Sequence, residues 1–113
     1  MDLLQELHQL SNDLIVSIKA LRKTGQEKAI AEREYYVAKA QESLRLKESG
    51  QPVTMIQLII KGQPVVAEKM FKFHVAETIH HANVEHVNGT KLRMRLLEAQ
   101  IQREWGMANN LNS

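Results

Sequence analysis

Residues 74–88 read HVAETIHHANVEHVN and hold four of the chain's five histidines, together with Glu77, Glu85 and Asn83. Three kinds of chemistry use such a set. Imidazole and carboxylate bind metals, imidazole changes charge near neutral pH, and a polar side chain inside a helical core fixes how helices align. Glu77 and His80 have the Glu-x-x-His spacing of di-iron bundles, and His74, Glu77, His81 and Glu85 line another face of the same helix. A di-iron centre needs a second such pair and two more inward carboxylates, and the chain has no second Glu-x-x-His. The expectation is no bound metal and no cofactor. A pH switch through His80 stays open beside the polar-layer reading, which the helical pattern favours.

Counted in heptads, Phe73, Ala76, His80, Asn83, Val87, Thr90, Met94, Leu97 and Ile101 share one seam. His80 and Asn83 then sit between apolar layers. A buried polar pair of this kind sets register at some cost in stability.

The elements that must position this layer follow from the same patterning. A helix is expected over about 2–49, with Asp2 as its N-cap. Leu3, Leu7, Leu10, Leu14, Ile18 and Leu21 form its apolar stripe, at spacings of three and four. The stripe weakens at Thr24-Gly25 and resumes with Ile30, Val37, Ala40 and Leu44 on one side. Gly50 and Pro52 stop it. The β-branched run PVTMIQLIIKGQP could be a strand, but no second such run exists to pair with it. Thr54 and Gln57 have capping-box spacing and Gly62 suits a C-terminal cap, so a short helix is expected over about 54–61. A last helix is expected over about 64–105, opened by Pro64, with 106–113 as a frayed tail.

Two long helices joined by a short apolar one predict a single all-α domain over 1–113: a long antiparallel hairpin, coiled-coil-like. Pairing Gly50 with Pro64 sets opposite positions to sum to about 114, which brings Gly25 level with Gly89. It also places Glu32 and Arg33 in the polar layer with His80 and Asn83, and Leu3–Leu21 beside Leu92, Met94, Leu97, Ile101 and Trp105. The alternative takes both glycines as turns and gives a compact four-helix bundle. Helical propensity stays high across both, and a single glycine costs only ~1 kcal/mol in a helix, which favours the hairpin. Two helices alone bury little surface, so a homo-oligomer is expected.

Composition narrows the function. Of 113 residues, five are aromatic and seven are Gly or Pro, which fits a mostly helical chain. The absence of cysteine excludes disulfides and thiolate catalysis. No phosphate loop and no Gly-x-Ser-x-Gly occurs. The polar start MDLLQELHQL does not look like a signal peptide, and the apolar run VTMIQLII is far short of the ~20 residues a membrane helix needs. A cytoplasmic protein with no membrane and no small-molecule substrate is the expectation.

The segments AEREYYVAKAQESLRLKESGQPVTMI and LLEAQIQREW resemble a family of small helical proteins encoded by phages and prophages of Gram-positive bacteria, often near early or replication genes. The resemblance spans Leu10 to Trp105 and rests on helical patterning. It implies a bacterial host cytoplasm and a role in phage DNA metabolism or host-factor interference. It carries no functional residues over.

The expected function is therefore non-enzymatic binding, with two partner classes in competition. A net charge of +2 is too small to imply nucleic acid, but the placement of charge allows it. Lys19, Arg22 and Lys23 in one stretch, and Lys91, Arg93 and Arg95 in another, have no intervening acid. The expected register lays the two stretches side by side as a phosphate-contacting collar. The rival surface is Met55, Ile56, Leu58, Ile59 and Ile60, more apolar area than one hairpin end covers, which suits an oligomer contact or a host or phage protein.

Overall fold

The computed structural model describes residues 2–112, with side chains from Asp2 to Ala108. It is all-α: α1 (Leu3–Glu48), α2 (Val53–Ile59), a 3-10 turn (Ile60–Gly62) and α3 (Pro64–Asn112). Both long helices pass through their interior glycines unbroken. The fold is the antiparallel hairpin, and the four-helix alternative is excluded.

Local chemistry explains most helix ends. The Asp2 carboxylate accepts from the Gln5 N–H at 2.7 Å, capping α1. At the other end Gly50 takes φ 93°, a conformation side-chain-bearing residues avoid, while the Gln51 N–H returns to the Leu46 carbonyl at 3.1 Å. Three sequence expectations do not hold. Thr54 and Gln57 form no capping box, because α2 opens on Pro52 without a side-chain cap bond. Gly62 closes the 3-10 turn without a positive φ. The tail expected after Trp105 is instead part of α3, which runs through Gly106 to Asn112.

The chain divides into two compact units: Met1–Arg22 with Ala82–Ser113, and Lys23–His81. In the first, α1 and α3 pair directly. Leu10 and Leu97 are buried and line one groove with Glu6 and Arg93, and Leu3 lies with Ile101 and Trp105 in a second. Val87 and Thr90 are buried on the same seam. The Thr90 hydroxyl donates to the His86 carbonyl one turn back.

The second unit holds the larger core. Tyr35 and Leu46 of α1, Ile56 of α2, Ile60 of the turn and Val66 of α3 form one buried cluster, with Met70 and Phe73 against it. The Tyr35 and Phe73 rings stack at 6.1 Å. The short elements exist to close this core. Ile56 and Ile60 lie four residues apart, so α2 and the turn present one apolar edge to the long helices.

All nine seam positions expected in α3 are buried or half-buried. In α1 the covered line is Leu3, Leu7, Leu10, Leu14, Ser17, Leu21, Thr24, Lys28, Ala31, Tyr35, Ala38 and Glu42, an unbroken alternation of fours and threes. The expected stripe of Ile30, Val37, Ala40 and Leu44 lies off this line and is exposed, and Ile18 gives way to Ser17. Strict heptad spacing decides here over side-chain hydrophobicity, since a helix can face its neighbour along only one such line.

Gly25 and Gly89 make a direct test. A Cβ on Gly25 would sit 3.1 Å from His80 Cε1, whereas one on Gly89 would meet nothing within 4 Å. Gly89→Ala should therefore raise unfolding stability by about 1 kcal/mol in a urea titration. Gly25→Ala should forfeit that gain, because the imidazole must move. Equal gains at both sites would contradict the contact.

Candidate functional site

The polar layer is centred on His80. Its Nδ1 lies 3.0 Å from the Thr24 hydroxyl, which is buried, and its ring fills the space left by Gly25. Thr24 and Gly25, where the pattern seemed to fade, are thus the complement of the histidine. A hydroxyl offers a hydrogen bond and a missing side chain offers room. The partners expected from the chain ends, Glu32 and Arg33, do not form the layer; Arg33 is exposed and Glu32 half-buried. His80 meets Gly25 nine positions short of Gly89, so the register expected from the helix ends is wrong. Asn83 keeps its seam position, half-buried.

Arg93 Nη2 lies 3.9 Å from Glu6 Oε1. Lys19, Arg22, Lys91, Arg93 and Arg95 belong to the first unit and Lys23 to the second. All six cations are exposed.

Among the described residues, no three His, Cys, Asp or Glu side chains are placed to hold a metal ion. The four positions His74, Glu77, His81 and Glu85 do not converge; Glu77 instead approaches Lys28 at 4.0 Å. Sequence reading also missed an ion pair in the seam. Glu42, half-buried at a heptad core position, takes a forked contact from Arg45, with Nε 3.0 Å from Oε1 and 3.1 Å from Oε2. The Arg45 guanidinium holds the Glu42 carboxyl below its ordinary range. Its i,i+3 spacing was the available signal.

The apolar hairpin end divides. Ile56 and Ile60 are buried in the core and Ile59 is half-buried against it. Met55 and Leu58 face solvent, Leu58 at 77% exposure, and Val53 joins them at 62%. The core residues hold the turn of helix rigid while its outer side stays apolar. Val53 also lines a groove with Ala40, Ser43 and Leu44 of α1.

The fold and these surfaces define an all-α helical hairpin with a polar seam layer and an open apolar end. No helix among the described residues is long and apolar enough to cross a membrane. No protein-family model matches the chain, and neither a curated protein nor a solved structure does.

Proposed function

We propose that the chain is a non-enzymatic accessory protein, of the phage or prophage setting its sequence resembles, that acts by binding another protein through the end of its hairpin. The observation that carries this reading is the exposure of Val53, Met55 and Leu58 on a short helix whose other edge is locked into the core. Side chains of this kind contribute ~1.5–3 kcal/mol each when they leave water. A rigid helical edge loses little conformational freedom on docking, which favours a partner with an apolar groove or an amphipathic helix.

The nucleic-acid alternative rests on the exposed cations Lys19, Arg22, Lys23, Lys91, Arg93 and Arg95. Salt-titrated binding to single- and double-stranded DNA and to RNA separates the two readings. The protein-binding reading expects no sequence-independent affinity at low salt. Affinity that falls with a log–log slope of about −3.6 on duplex, and that vanishes when Arg22, Lys23, Arg93 and Arg95 become Gln, would transfer the function to the cations.

A further inference from the structure

The two units differ in what covers their helix seams. The Lys23–His81 unit contains α2 and the 3-10 turn, which fold onto the long helices. Six of its apolar side chains are buried, and every member of the core cluster lies between Tyr35 and Phe73. The Thr24 hydroxyl against His80 and the stacked Tyr35 and Phe73 rings add contacts across the helix pair. Among the described residues, the first unit consists of segments of α1 and α3 alone, 3–22 and 82–112. Two helices meet along one line, and nothing else in that unit lies over it. Its buried apolar side chains are therefore three, Leu10, Val87 and Leu97, while Leu3, Leu7, Leu14 and Ile101 of the same seam stay half-buried. Its ion pair, Arg93 with Glu6, joins side chains 66% and 40% exposed, where water and salt screen it.

We propose that the first unit is a conformational device: its two helix segments part and re-close as one cooperative step while the Lys23–His81 core stays folded. The free energy of a local opening follows the apolar surface that the opening returns to water. Parting the first unit exposes Leu10, Val87 and Leu97 and breaks none of the contacts among Tyr35, Leu46, Ile56, Ile60 and Val66. Opening the core exposes that whole cluster. The first unit therefore opens far more often. Its two segments open together, because each is the other's only cover along the seam. Once parted, a lone helix of ~20–30 residues is marginal in water, so its backbone hydrogen bonds open readily.

Hydrogen exchange of the full chain, read peptide by peptide in a mass spectrometer, tests the device. Backbone amides in 3–22 and 82–108 should exchange about a hundredfold faster than those in 35–73, and at one shared rate. Leu10→Ala should speed exchange by about tenfold or more in both segments, including 82–108, which carries no substitution. The rate in 35–73 should not change. Complete loss of protection in both segments of the variant, with the core rate kept, supports the device equally. Opening is independent of the hairpin end, so Val53→Asp with Leu58→Asp should leave all these rates as they are. Equal wild-type rates in the two units would overturn the proposal, and so would loss of protection along the whole chain on Leu10→Ala. An effect of Leu10→Ala confined to 3–22 would overturn it too, because the segments would then open separately.

Discussion

Val66→Asp should cost more than about 3 kcal/mol and abolish cooperative unfolding of the Lys23–His81 unit. Val66 is fully buried, at 0% exposure, where α3 begins against Tyr35, Leu46, Ile56 and Ile60. A carboxylate there has no partner within an apolar cluster. It must either ionise out of water or stay protonated, and both outcomes weaken the folded state. Val65→Asp, one residue away and about half exposed, should shift the midpoint of a urea titration far less. Similar losses at both positions would mean that the cluster does not close the hairpin end.

That cluster was only partly legible in the sequence. The α3 seam could be read because its apolar residues recur strictly at threes and fours. The α1 seam could not be read past Leu21, because it passes through Thr24, Lys28, Ala31 and Glu42, none of them large and apolar. Thr24 is covered because His80 packs against it and Gly25, while Lys28 and Glu42 lie in ion pairs with Glu77 and Arg45. Size complementarity between distant positions leaves no periodic trace in either helix alone. The helix ends misled the register for a related reason. Pro64 and Gly50 mark where helices start and stop, but α2 and the 3-10 turn fold into the core rather than bridge the ends symmetrically. Of the candidate surfaces, the apolar hairpin end was visible as an unpartnered run. Its division into inward Ile56 and Ile60 and outward Leu58 needed the three-dimensional core.

The second large expected effect concerns the polar layer. His80→Leu should raise stability by about 1 kcal/mol, because the apolar burial gained exceeds the single hydrogen bond lost to Thr24. It should also loosen register, since the histidine is what distinguishes the Thr24-Gly25 layer from its apolar neighbours. Lys28→Cys with Glu77→Cys, joined by a bismaleimide long enough to replace two long side chains whose tips approach within 4.0 Å, reports that register. The cross-link should form readily with His80 in place and in lower yield with leucine. In a double-mutant cycle with Thr24→Val, the pair should couple by roughly 0.5–1.5 kcal/mol. A marked loss of stability on His80→Leu, with cross-link yield unchanged, would mean the layer supports the fold without specifying it.

Binding through the hairpin end is tested most directly by parallel affinity capture from a bacterial lysate, with the wild-type chain and the Val53→Asp, Leu58→Asp variant as baits. Both substituted positions are exposed, so helicity and melting should match the wild type. The account predicts that a defined protein is retained by the wild type and lost from the variant. Recovery of the same proteins in the same amounts by both baits would contradict it.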